Sequence, residues 1–174
     1  MRLFFALTFD PLTKREISCY RDLVADHAAK GRFTSEGNFH VTLEFIGETP
    51  AAQLAILTPI LHQLSGCPEF VTVRHLGAFS RKEKALVWLA VERDKALIAL
   101  QKQLAKLLSN AGYSPEQRRY TPHITLGRNI IMREPLNDLV IPPAELTIHS
   151  LALMESKREG ERLVYQPVAE IVVN

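Results

Sequence analysis

A chain of 174 residues is long enough for one compact domain, or for two small lobes that share a core. Hydrophobic residues at 47% and charged residues at 23% argue against disorder, and a net charge of +2 argues against a polycation built to coat nucleic acid. The two cysteines, Cys19 and Cys67, lie far apart and outside any C-x-x-C, which argues against a disulfide framework or thiolate zinc site and fits a reduced cytosol.

Residues 2–9 are apolar and aromatic and stop at Asp10-Pro11, which reads as a strand entering a helix with proline in its first turn. This opening is too short for a signal peptide, and no later run is long enough to span a membrane. The expectation is a soluble, cytoplasmic protein. Ile17, Tyr20, Val24 and Ala28 then recur at three- and four-residue steps, one face of a helix that Gly31 ends. A polar loop leads to a strand over 39–46. Leu54, Leu57, Leu61 and Leu64 mark a second helix, broken at Gly66-Cys67-Pro68, and a strand over 70–76 follows. Residues 85–91 form another strand. Asp94 caps a helix whose buried stripe is Leu97, Leu100, Leu104 and Leu107, closed by Gly112. After a second polar loop comes a strand over 123–126. Pro135, Pro142 and Pro143 interrupt the next stretch, and strands over 145–154 and 163–172 flank a polar turn at Gly160.

The halves repeat. Leu3-Phe4-Phe5-Ala6-Leu7 aligns with Leu86-Val87-Trp88-Leu89-Ala90, and His40-Val41-Thr42-Leu43 aligns with His123-Ile124-Thr125-Leu126, both at an offset of 83. A strand–helix–strand unit used twice explains the shared offset. The expected organisation is a single two-lobed domain over 1–174, with pseudo-repeats at roughly 1–80 and 84–174. Two such units leave a groove between their sheets, a common place for a ligand.

Along a strand, side chains alternate faces, so His40 and Thr42 point together while Val41 and Leu43 point the other way. The second copy does the same with His123 and Thr125. A pseudo-twofold axis brings both pairs around one small space that suits a phosphate, with hydroxyls donating to its oxygens and imidazoles reaching opposite ester oxygens. Histidine fits the acid–base work because its unperturbed pKa is roughly 6.5. One ring can accept a proton from the nucleophile while the other donates one to the leaving oxygen. Six His and ten Thr in random order give about 0.3 His-x-Thr pairs. Two occur, at matching places of a repeat, so inheritance of an idle polar face is the weaker explanation.

The motifs Arg2-Leu3-Phe4-Phe5-Ala6, Asn38-Phe39-His40-Val41-Thr42-Leu43-Glu44-Phe45-Ile46-Gly47 and Tyr120-Thr121-Pro122-His123-Ile124-Thr125-Leu126-Gly127-Arg128 carry a family resemblance. The chain resembles the two-histidine phosphoesterases, specifically the bacterial RNA 2′,3′-cyclic phosphodiesterases, also called 2′-5′ RNA ligases, along nearly its whole length. The resemblance implies an α+β fold, bilobal and pseudo-twofold, with antiparallel sheets around a central cleft. It implies hydrolysis of RNA 2′,3′-cyclic phosphate ends to 2′-phosphomonoesters, and 2′-5′ ligation when an RNA 5′-hydroxyl replaces water. By analogy His40 is the proton donor and His123 the proton acceptor, with Thr42, Thr125 and Arg128 binding substrate. The two motifs are too symmetric to orient the pair by themselves.

Five residues after each His stand Phe45 and Arg128. Strict alternation puts Arg128 opposite to His123, so a bulge or strand end at Gly127 is required. Phe45 reads as core, with nucleoside contact as the alternative. Phe4 is a weak candidate for stacking a base, and Trp88, aligned with Phe5, reads as core. His27, His62, His75 and His149 read as packing or surface residues. The basic clusters Arg81-Lys82, Arg118-Arg119 and Lys157-Arg158 are either solvated loops or guides for a polyanion, and 82–84 and 156–162 read as flexible turns. No clustered carboxylates, His-Glu-x-x-His or G-x-x-x-x-G-K is present, so neither a metal nor another cofactor is expected, and nucleotide-driven ligation is unsupported. The expected partner is an RNA end, with no membrane and a monomeric state. Two other readings stay open: a phosphodiesterase for small cyclic nucleotides, and a non-catalytic RNA-end binding module.

Overall fold

The structure, a computed structural model, describes residues 1–173. Eight strands and three α-helices follow one another as β1 (Arg2–Phe9), α1 (Pro11–Asp26), β2 (Ala28–Phe33), β3 (His40–Glu48), α2 (Leu54–Gln63), β4 (Phe70–Arg81), β5 (Lys84–Val91), α3 (Lys95–Asn110), β6 (His123–Met132), β7 (Ala144–Glu159) and β8 (Arg162–Val172). The helix starts are those the sequence marks. Asp10 accepts the Thr13 N–H at 2.7 Å with Pro11 as first helical residue, and Asp94 accepts the Leu97 N–H at 2.8 Å. Caps of this kind are worth about 1 kcal/mol each. The buried stripe of α3 is Leu97, Leu100, Leu104 and Leu108, so the last turn buries Leu108 in place of Leu107.

All pairings are antiparallel, and together they make two sheets. One has the order β3-β1-β7-β8 and the other β2-β6-β5-β4-β7. The two share β7. Its start, from Ala144 to Thr147, pairs with β4, and from Ile148 onward it pairs with β1 and then also with β8. One face of each sheet packs on the helices: Leu3, Phe5 and Leu7 share a single core with Ile17, Leu57, Leu61, Leu97 and Leu104. The other face looks into a cleft.

The sequence halves are not the lobes. Residues 28–33 form β2, which pairs with β6 of the second half, while β8 and most of β7 lie in the sheet of the first half. The helix read as ending at Gly31 ends at Asp26, with His27 as its cap. Ala-Ala-Lys-Gly-Arg-Phe has little intrinsic strand preference. It is a strand because the exposed edge of β6 pairs with it, and Gly31 is needed there since a Cβ would lie 2.7 Å from Ile130 Cγ1.

The repeat is also out of step by one residue in its first strand. Ala6 lies opposite Thr42 and Thr8 opposite His40, whereas Trp88 lies opposite Thr125 and Ala90 opposite His123. Relative to the His-x-Thr strands, Trp88 therefore matches Ala6 and not Phe5. A one-residue slip moves every side chain to the other face. Val87, Leu89 and Val91 are the buried set, and Trp88 turns to the cleft side, where its ring packs over Gly77. Replacing Gly77 with Ala puts a Cβ against the indole ring. A Gly77→Ala variant is expected to lose about 1–3 kcal/mol in chemical denaturation. Trp88 is the chain's one tryptophan, so its emission spectrum should change as well. Unaltered stability and emission would show that the indole does not rest on Gly77.

Candidate active site

His40 opens β3 and His123 opens β6, each followed two residues later by its threonine on the same face. Both rings are oriented identically by backbone. His40 Nδ1 donates to the Asn38 carbonyl at 2.7 Å, and His123 Nδ1 donates to the Thr121 carbonyl at 2.7 Å. A carbonyl only accepts, so the neutral rings carry their proton on Nδ1 and leave Nε2 as an acceptor. The Thr42 hydroxyl donates to His40 Nε2 at 3.0 Å. The peptide that holds His40 is itself tied down: Asn38 Nδ2 donates to Leu163 O at 2.8 Å, and Tyr165 N donates to Asn38 Oδ1 at 3.1 Å. Tyr120 joins the motifs directly, its hydroxyl donating to the Thr42 carbonyl at 2.7 Å.

Each histidine lies between two aromatic rings. Phe4 and Tyr165 stand 5.0 and 5.1 Å from the His40 ring, and Trp88 and Phe79 stand 5.5 and 5.7 Å from His123. Phe4 is only 3% exposed, which leaves it as the floor under His40 and too covered to stack a base. Tyr165 and Phe79 went unnoticed in the sequence because each reaches the site from the outer strand of a hairpin.

The +5 positions are both brought to the cleft by bulges. Register shifts between Phe5 and Ala6 and between Val87 and Trp88 mark an extra residue at Leu43-Glu44 in β3 and at Leu126-Gly127 in β6. After the bulge the alternation reverses. Arg128 thus reaches the same wall as His123, as required. Phe45, read as core, is 53% exposed on the cleft wall with the Arg2 guanidinium 5.0 Å from its ring centroid. The core position falls instead to Glu44, 3% exposed, which accepts from Gln101 at 2.7 Å and whose carboxyl is pushed up by burial.

The cleft holds about 1050 Å³ and brings together all five residues expected at the site: His40, Thr42, His123, Thr125 and Arg128. It is rich in cations, with Arg2, Arg32, Lys157, Arg158 and Arg162 also on its walls. Residues 156–162 are mostly strand, continuing the β7–β8 hairpin around Gly160. Arg118-Arg119 lies elsewhere, with Arg118 paired to Glu116, and Arg81-Lys82 sits at the β4–β5 turn. His27 pairs with Glu134 at the surface. Among the described residues no three His, Cys, Asp or Glu side chains cluster as metal ligands, and no helix is long and apolar enough to cross a membrane.

The 2′-5′ RNA ligase superfamily model matches residues 13–160, most of the chain. The chain belongs to the 2′-5′ RNA ligase superfamily. It is 29% identical over 177 residues to the RNA 2′,3′-cyclic phosphodiesterase of Thermotoga maritima, covering 98% of this chain and 94% of that one. It is 28% identical over 145 residues to the Escherichia coli enzyme of the same name, covering 82% and 77%. Among solved structures, E. coli LigT in complex with ATP superposes with a TM-score of 0.75 at 26% identity, over 99% of this chain and 97% of that one. The LigT complex with 3′-AMP gives 0.74. The bilobal α+β fold is that of the superfamily.

In this superfamily member the two imidazoles start out neutral. Burial pushes His40 down from 6.5 to about 4, against the opposing effect of its bond to the Asn38 carbonyl; the charges of His123, Lys14 and Arg128 push it further down. Burial also lowers His123, again opposed by its carbonyl bond and assisted by Arg128. A depressed imidazole binds fewer protons in the folded chain than in the unfolded one. Stability tied to His40 is therefore full above about 6.5 and is lost as pH falls toward about 4. In an NMR titration His40 is expected to stay neutral at pH 6 and to protonate near pH 4, with inorganic phosphate raising that midpoint. A midpoint at the unperturbed value, unmoved by phosphate, would contradict the buried electropositive setting described above.

Proposed function

We propose that this chain opens RNA 2′,3′-cyclic phosphate ends to 2′-phosphomonoesters, with His40 as proton donor and His123 as proton acceptor. The observation that carries the reading is the pair of identically braced His-x-Thr motifs beside Arg128 in one cationic cleft. The printed activity of the T. maritima and E. coli relatives supports the same substrate. His123 Nε2 takes a proton from water as its oxygen attacks phosphorus. The bond from phosphorus to O3′ breaks, and His40 gives its proton to the departing O3′, leaving the phosphate on O2′. Thr125 and Arg128 hold the phosphoryl oxygens, and Arg128 offsets charge as it grows in the transition state. Thr42 hydrogen-bonds His40 in the empty site and turns to the phosphate when the ring is protonated, since an imidazolium no longer accepts. With an RNA 5′-hydroxyl in place of water, the same proton transfers run toward a 2′-5′ bond. The finer reading includes a monomer, one two-lobed domain over 1–174, a cytoplasmic setting and no cofactor.

The donor role requires a charged His40, and His40 is the more depressed ring. The anionic phosphate supplies the compensating charge. The optimum of kcat/KM, which reports the free protein, is expected below pH 6.5, and the optimum of kcat, which reports the complex, nearer neutrality. Coincident optima above neutrality would contradict the assigned pair.

With chelator present, RNA ending in a 2′,3′-cyclic phosphate is expected to yield a 2′-phosphate. Replacement of either histidine by Ala should lower turnover at least about a hundredfold. A nitrophenyl phosphodiester needs little protonation of its leaving group, so it should partly rescue His40→Ala and not His123→Ala. Rescue at His123 would reverse the roles. Loss of activity with chelator and return with a divalent ion would overturn the metal-independent pathway.

A further inference from the structure

The strand invisible to sequence patterning brings a second guanidinium beside Arg128. Arg32 of β2 lies directly opposite Arg128 of β6, and both line the cleft. Residues directly opposite in an antiparallel pair stand with Cβ atoms about 4.5–5.5 Å apart, where like charges are destabilising. Among the described residues neither guanidinium has a carboxylate within ion-pair distance, although five other cations do. An anion relieves that repulsion. The phosphate between the histidines can occupy Arg128, yet Arg32 stands one strand further out, on the edge. The cleft volume of about 1050 Å³ also exceeds the roughly 300–1,000 Å³ usual for a single small ligand. An RNA strand offers its next phosphate one nucleotide away, at the 5′ side of the terminal nucleoside.

We propose that Arg32 binds the phosphate joining the terminal nucleotide to its 5′ neighbour, making the site selective for an RNA strand end over a free nucleoside cyclic phosphate. The inference rests on the cyclic-phosphodiesterase reading above. The guanidinium fork suits a phosphodiester, which presents two non-bridging oxygens. The Arg32 side chain is exposed and the strand pairing is made by backbone, so its replacement leaves β2 in place.

Three substrates separate the contributions: a nucleoside 2′,3′-cyclic phosphate, the same compound with a 5′-phosphate, and an oligonucleotide with a 2′,3′-cyclic end. For the unaltered protein kcat/KM is expected to rise from the first to the second and third. Arg32→Ala should erase about tenfold of that gain, mainly through KM, and lower the salt dependence of oligonucleotide binding by about one phosphate contact, a log–log slope change near 0.7. Arg32→Lys should keep the salt dependence and part of the gain. Arg128→Ala should lower all three alike. No advantage from the 5′-phosphate in the unaltered protein, or an equal loss on all three substrates in Arg32→Ala, would overturn the assignment. If the unaltered protein opens none of the three, the phosphodiesterase reading itself fails.

Discussion

The spacing of the two histidines depends on a single strand. Because β7 hydrogen-bonds β4 at its start and β1 for the rest of its length, the two sheets are parts of one covalent and hydrogen-bonded frame. β1 carries β3 with His40, and β4 carries β5 and then β6 with His123. Any change in the angle between the lobes must twist β7 or break its ladder. The Tyr120–Thr42 bond adds a direct strut between the motifs where the sheets approach. Two short side chains and two rings can therefore be aimed at one phosphate without a flexible hinge between them, which is the preorganisation that acid–base catalysis needs.

The electrostatics of the cleft follow from this enclosure. Buried between aromatic rings and surrounded by guanidinium groups, both imidazoles favour the neutral form. A site so arranged is poised for an anion: the phosphate offsets the cationic walls and makes a charged His40 affordable. Proton donor and substrate thus become competent together.

The duplication is close in backbone and deliberately unequal in side chains at a few positions. The same bulge follows each threonine, and what it delivers to the cleft differs: Phe45 from one sheet, Arg128 from the other. Likewise Ala6 and Trp88 occupy equivalent places beneath the two motifs. Thr42 is engaged with His40, whereas no such bond joins Thr125 to His123 among the described residues. A symmetric frame with asymmetric walls lets one phosphate be approached differently from its two sides.

The catalytic constellation was legible because period-two alternation puts His40 with Thr42 and His123 with Thr125 whatever the strands pair with, and because a recurring motif survives without knowledge of contacts. The helix caps at Asp10 and Asp94 were legible for the same reason: they are local chemistry. The need for a bulge before Arg128 also followed from counting faces. Phe45 was misread because the matching bulge at Leu43-Glu44 reverses alternation with no Gly to announce it. Trp88 was misread because an apolar run aligns equally well at two registers, and only pairing with the Thr125 strand selects one. β2 had no signal at all in residues 28–33, since its pairing partner, the open edge of β6, lies about a hundred residues away in the chain. By itself, then, the sequence determined the elements with strong local period, their caps and the faces of the two His-x-Thr strands. The tertiary structure decided strand register, the exchange of β2 and β8 between halves, and the cationic walls of the cleft. These depend on hydrogen bonds between distant segments, which leave no periodic trace in either partner.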